Sequence, residues 1–185
     1  WMSMVIYLAM AFWALLGLTF NTRLSGMMSR ALAPTGALFA FLSLWTGALW
    51  GKPMWGAWWV WDARLTSELI LFFLYLGFIG LTSAIEDPRR SDKAGALLAL
   101  VGAINVPIIY FSVRWWNTLH QGASVSVTQG SSMAQTMLNA MLLMALSFWM
   151  YAIAVALYRV RTLILARERH AHWVTELLSA KETAA

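Results

Sequence analysis

The chain has 185 residues, 61% hydrophobic and only 11% charged, far from the soluble norm in which about a quarter of residues carry charge. It has no cysteine, which excludes disulfides, thiolate ligands and thiol nucleophiles. The formal charge of +5 reports orientation in a membrane protein before it reports any affinity for nucleic acid, and no nucleic-acid partner is expected.

Five stretches are apolar for long enough to cross a hydrocarbon core, which takes about 20 residues of helix. They are roughly residues 1–20, 31–50, 65–85, 94–112 and 136–158. The expected fold is therefore all-α, a polytopic membrane helical bundle with five predicted transmembrane helices forming a single integral-membrane domain over 1–185. The chain opens on Trp1 inside an apolar run, without a basic n-region or a small-residue cleavage site, so a preceding segment is expected. The first connection carries Arg23 and Arg30. The second, 51–64, holds most of the tryptophan in the connections. Residues 86–93, Glu-Asp-Pro-Arg-Arg-Ser-Asp-Lys, predict a tight, fully solvated turn in which Pro88 stops the preceding helix. Asn105 and Pro107 predict a kink with a local hydrogen bond in the fourth span. Residues 113–135 form the longest internal loop, rich in Ser, Thr, Gly and Gln, with Arg114 as its one charge. A tail, 159–185, follows the fifth span.

Assigning successive connections to alternate sides gathers Arg23, Arg30, Arg89, Arg90, Lys93, Arg159, Arg161, Arg167, Arg169 and Lys181 on one side. Lys52, Arg64 and Arg114 fall on the other. By the positive-inside rule the first group is cytoplasmic, so segment 51–64 and the 113–135 loop face outward together.

Segment 51–64 reads Gly-Lys-Pro-Met-Trp-Gly-Ala-Trp-Trp-Val-Trp-Asp-Ala-Arg, with four tryptophans in seven positions. Pro53 and Gly56 argue against a regular helix through its first half. From Trp55 onward a helix would bring Trp55, Trp58, Trp59 and Asp62 onto one side, and a strand would align Trp55, Trp59 and Trp61. Either way a broad aromatic shelf results. An interfacial belt accounts for one or two indoles per boundary. Four, with Gly56 leaving open backbone and Asp62 and Arg64 beside them, fit a flat apolar ligand with a polar edge.

Trp55-Gly56-Ala57-Trp58-Trp59-Val60-Trp61-Asp62 resembles the tryptophan-rich WWD signature, WGxxWxWD, of the haem-handling proteins of cytochrome c maturation. The flanks Gly51-Lys52-Pro53-Met54 and Ala63-Arg64-Leu65-Thr66-Ser67-Glu68, with the later Trp115-Trp116-Asn117-Thr118-Leu119-His120-Gln121-Gly122, resemble the CcmC, or haem exporter protein C, family from residue 1 to the tail. The resemblance implies six spans in the full-length family, hence one span ahead of Trp1, together with the family's first haem-associated histidine. It implies that Trp55, Gly56, Trp58, Trp59, Trp61, Asp62, Trp115, Trp116 and His120 bind haem b non-covalently, with His120 as an axial ligand to the iron. Whether Asp62 orients a tryptophan or meets the ligand edge stays open, as does its use as a helix N-cap.

The other ionisable groups have plainer readings. Neutral imidazole is a common axial ligand of haem, but a loop histidine by itself is usually just solvated. His170 and His172 form an incomplete metal site and fit a solvated basic helix on the membrane surface, with Trp173, Leu177 and Leu178 toward lipid or a partner. Glu68, one turn into the third span, is expected to pair with Arg64 four residues earlier. Lys52, Arg64 and Arg114 are the outer cations available to haem propionates.

The function implied is binding of haem at the periplasmic face of the inner membrane and its delivery to the haem chaperone CcmE, beside the ABC-type transporter subunits CcmA, CcmB and CcmD and in contact with membrane lipid. The chain is expected to be no enzyme, and it has no Walker-type nucleotide loop. The alternatives are a WWD-type cytochrome c haem lyase subunit, which is usually longer and richer in histidine, and a membrane cytochrome b. The latter needs histidines inside its spans, and these have none.

Overall fold

The computed structural model describes residues 1–116, 120, 133–169 and 171–174. These residues form six helices: α1 (Met2–Phe20), α2 (Arg23–Trp55), α3 (Ala63–Ala84), α4 (Pro88–Ala103), α5 (Asn105–Trp115) and α6 (Gln135–Arg167). With α4 and α5 taken together as one crossing, five are long and apolar enough to span a membrane, and no strand occurs among the described residues. The all-α membrane bundle expected from the sequence is what the chain forms.

α1 to α5 pack on one another, and α6 packs mainly on α2. In α6 only 11% of the spanning window lies buried, against 39% in each of the others. α6 is thus the span least covered by the other described residues. Tyr7 on α1 and Tyr75 on α3 anchor the core. Both are fully buried and meet edge to face at 5.0 Å, a favoured aromatic arrangement. The Tyr75 hydroxyl donates to the Ser3 carbonyl at 2.6 Å. Glycines seat the two rings: a Cβ on Gly36 would run into Tyr75, and one on Gly102 into Tyr7.

Several boundaries differ from those read off the sequence. α2 begins at Arg23, not near 31, because tertiary contacts satisfy the polar residues that lower the local hydropathy. Ser29 Oγ donates to the Met10 carbonyl at 3.2 Å, and Arg30 meets Asp92 at 3.2 Å. α2 also runs on through Lys52 and Pro53 to Trp55. Pro53 forfeits one backbone hydrogen bond there, and the last turn still closes through Gly56 N–H to the Lys52 carbonyl at 3.0 Å. The predicted turn at 86–93 is neither solvated throughout nor a stop signal. Pro88 is the first residue of α4, where its missing N–H costs nothing. Asp87 caps that helix by accepting from Arg90 N at 3.1 Å, while Ser91 is fully buried and donates to the Thr82 carbonyl at 2.8 Å. α6 likewise continues nine residues past 158 into the expected tail.

The kink expected in the fourth span is present at Ile104, between α4 and α5. A local hydrogen bond is present there, from Ile104 N–H to the Val101 carbonyl at 3.3 Å, and a tertiary one joins it. Asn105 Nδ2 donates to the Ser67 carbonyl on α3 at 2.8 Å, tying the break to the neighbouring helix.

Candidate functional site

The site begins where α2 stops. Gly56 takes a left-handed conformation (φ 76°), which only glycine enters without penalty, and the backbone turns out of the helix. Lys52 Nζ donates to the Gly56 carbonyl at 3.1 Å and lies 5.9 Å from the Trp58 ring centre. Residues 57–61 are neither helix nor strand, so the aromatic shelf has neither of the two regular geometries considered from sequence. Trp59 and Trp61 meet edge to face at 5.4 Å, and Trp58 and Trp61 remain 56% and 74% exposed. The Trp59 Nε1 donor is buried without a partner among the described residues.

Asp62 ends the segment and opens α3. Its Oδ1 accepts the Leu65 N–H at 2.8 Å, the N-cap anticipated from sequence. Its Oδ2 lies 2.7 Å from Nδ1 of His120, and both side chains are largely buried. A carboxylate behind an imidazole is the usual support for a metal-bound histidine, because it fixes the tautomer and raises ligand basicity. Trp55 meets the His120 ring edge to face at 4.8 Å, and Trp50 meets Trp55 at 5.2 Å.

His120 borders an open groove of about 380 Å³ between the end of α2 and the start of α3. Ser43, Thr46, Gly47 and Trp50 form its α2 wall, and Arg64, Leu65 and Glu68 its α3 wall. The sequence reading did not single out the α2 residues. Their spacing of three and four, which places small and polar residues on one stripe of an apolar helix, was the available signal. Glu68 and Arg64 share the groove, but the described ion pairs do not include them. Glu68 instead accepts from Ser3 Oγ on α1 at 2.8 Å, because its burial at 6% exposure turns it toward the bundle interior.

The structure therefore brings together Trp55, Asp62 and His120, with Trp58, Trp59 and Trp61 on the connecting segment. Trp115 and Trp116 close α5 as a separate pair 6.1 Å apart, Trp115 stacked on Phe111 at 5.0 Å. No described ring contact joins them to the shelf. His170, Leu177, Leu178 and Lys181 lie outside the described residues. Trp173 Nε1 donates to Glu168 Oε2 at 2.9 Å, so this indole is turned back on the end of α6. Among the described residues no three His, Asp or Glu side chains come together as a chelating site. The cluster is one imidazole backed by a carboxylate and bordered by indoles.

Comparison with known proteins gives the family. Residues 1–175 match the family model described as heme exporter protein C. The chain belongs to the haem exporter protein C family. It is 46% identical to heme exporter protein C of Escherichia coli K12 over 176 residues, covering 95% of this chain and 71% of that one. Heme exporter protein C of Bradyrhizobium diazoefficiens is 50% identical over 90% of this chain and 64% of its own length. A cytochrome c biosynthesis ccmC-like mitochondrial protein of Marchantia polymorpha is 45% identical over 90% of this chain and 70% of its own. In this family member the signature aspartate has a defined place: it is at once the cap of α3 and the partner of His120.

Proposed function

We propose that this chain binds haem b non-covalently as cargo at the outer face of a bacterial inner membrane and hands it to the haem chaperone CcmE during maturation of c-type cytochromes. CcmA, CcmB and CcmD would form the transporter complex around it, and any nucleotide hydrolysis would be theirs. The observation that carries this reading is the arrangement of Asp62, His120 and Trp55. It sets an imidazole, backed by a carboxylate, against an indole surface.

Other features of the site support the same reading. The exposed faces of Trp58 and Trp61 offer apolar area for a porphyrin plane. The buried Trp59 N–H is a donor in want of an acceptor, and Arg64 places a cation in the groove beside His120. Both suit the carboxylates of a haem edge. Charge supports this orientation: Arg23, Arg30, Arg89, Arg90 and Lys93 lie at the end of the bundle remote from segment 51–64, as the positive-inside rule expects of the cytoplasmic side. No histidine occurs within α1 to α6, which weighs against a cytochrome b that ligates haem inside its spans.

The test is to purify the full-length protein with its haem and compare occupancy and visible spectrum in wild type, His120→Ala and a Trp58→Ala/Trp59→Ala double variant. Loss of haem or an altered spectrum in the variants is expected. Unchanged occupancy and spectrum in all of them would reject the site.

A further inference from the structure

The other end of the bundle carries a second concave site that haem handling does not use. A small cavity of about 90 Å³ lies where the α1–α2 connection meets the start of α4, and its charged lining is Arg23, Arg30, Arg89, Asp92 and Lys93. Four cations face one carboxylate. That carboxylate is already engaged, since Asp92 Oδ1 is shared by Arg30 Nη2 at 3.2 Å and Arg167 Nη2 at 2.9 Å. Arg23, Arg89 and Lys93 have no described ion-pair partner. At the floor, Arg30 Nε is buried and unpaired among the described residues, although its Nη2 donates to Ser91 Oγ at 2.6 Å. Cations that serve only to orient a membrane protein are expected to point into water, not to converge on a pocket with a buried donor left unused.

We propose that this pocket binds the phosphate of an anionic phospholipid. The cavity has room for several waters and hence for a phosphate-sized group, and basic pockets between spans are suited to such headgroups. A second observation favours a lipid over a soluble phosphate. Arg30, Phe78 and Thr82 also line an adjoining groove of about 410 Å³ between α2, α3 and α6, whose remaining wall includes Pro34, Ile79 and Leu163 and the cation Arg159, which donates to Thr35 Oγ1 at 2.9 Å. A headgroup on the cations would have its acyl chain led along that largely apolar groove. No histidine, methionine or cysteine lines either space.

Native mass spectrometry of the full-length protein, exchanged into detergent with phosphatidylglycerol or phosphatidylcholine, tests this directly. Wild type should retain phosphatidylglycerol selectively, and an Arg23→Gln/Arg89→Gln/Lys93→Gln variant should bind it on the order of 100-fold more weakly, about fivefold per cation removed. Arg90→Gln, whose side chain is 86% exposed outside the cavity, should behave as wild type. Haem occupancy at the tryptophan end should stay normal in both, which separates failure of this proposal from failure of the haem reading and reports that the variants fold. Equal retention of the two lipids by wild type, or undiminished retention by the triple variant, would overturn the proposal. Inorganic phosphate displacing phosphatidylglycerol at equal concentration would overturn the lipid assignment.

Discussion

The Asp62 carboxylate meets His120 Nδ1 at 2.7 Å across 58 positions of sequence while its other oxygen caps α3 at Leu65. One side chain thereby fixes a loop imidazole to the start of a transmembrane helix. The two jobs are separable by substitution. Asn caps helices about as well as Asp but lacks the charge that supports the imidazole. Asp62→Asn is expected to weaken haem retention by roughly 10- to 100-fold while leaving thermal unfolding nearly unchanged. Asp62→Ala should also lose about 1 kcal/mol of stability with the cap. Haem titration beside thermal unfolding of the same preparations checks both. Equal haem affinity in Asp62→Asn and wild type would show that the contact does not support the ligand.

Gly56 tests the turn that delivers the shelf. Its φ of 76° is unfavourable for a residue with a Cβ, although the space around it is open. Gly56→Ala should therefore destabilise by about 1–2 kcal/mol through backbone strain alone. Gly56→Asn should cost less, because Asn tolerates the left-handed region. Thermal unfolding of the three proteins in one detergent gives the ranking, and an alanine variant as stable as wild type would contradict it.

The tyrosine pair predicts a steric effect far from the site. Gly36→Ala pushes a methyl group into Tyr75 and Gly102→Ala pushes one into Tyr7. Overpacking of this kind costs about 1–3 kcal/mol. Both variants should melt earlier than wild type. Combining Gly36→Ala with Tyr75→Leu should recover part of the loss, whereas additive destabilisation would contradict the assigned contact.

Asp92 joins three helices by accepting from Arg30 on α2 and Arg167 on α6. Asp92→Asn leaves two guanidinium groups facing each other without a counter-charge. The group is about one-fifth exposed, so the cost should fall below that of a fully buried pair, at about 2 kcal/mol. Thermal unfolding at low and high salt checks it. The deficit should shrink as salt screens the repulsion, and a deficit indifferent to salt would contradict the electrostatic origin.

The spans were legible because about 20 consecutive apolar residues have few other uses, and the shelf was legible because four indoles within seven positions are rare. Features that depend on partners distant in sequence were not. Ser29, Arg30 and Ser91 read as polar connection residues, yet Met10, Asp92 and Thr82 satisfy them inside the bundle. Glu68 read as the partner of Arg64 at helical spacing, and only the packing of α1 on α3 brings Ser3 to it. Trp50 was hidden at the end of an apolar run until the continuation of α2 through Pro53 placed it against Trp55. The role of Asp62 stayed open from sequence because its second contact, His120, lies 58 positions away, whereas the cap at Leu65 is local.

The most direct measurement of the central claim is imidazole rescue in the full-length protein. His120→Gly removes the ring while leaving Asp62 and Trp55 in place, and free imidazole supplies the same nitrogen to the vacated position. The variant should lose haem or the wild-type Soret and visible bands, and added imidazole should restore them. An Asp62→Asn/His120→Gly double variant should need more imidazole for the same recovery. A His120→Gly protein that holds haem with the wild-type spectrum, without imidazole, would contradict the assignment of this histidine to iron.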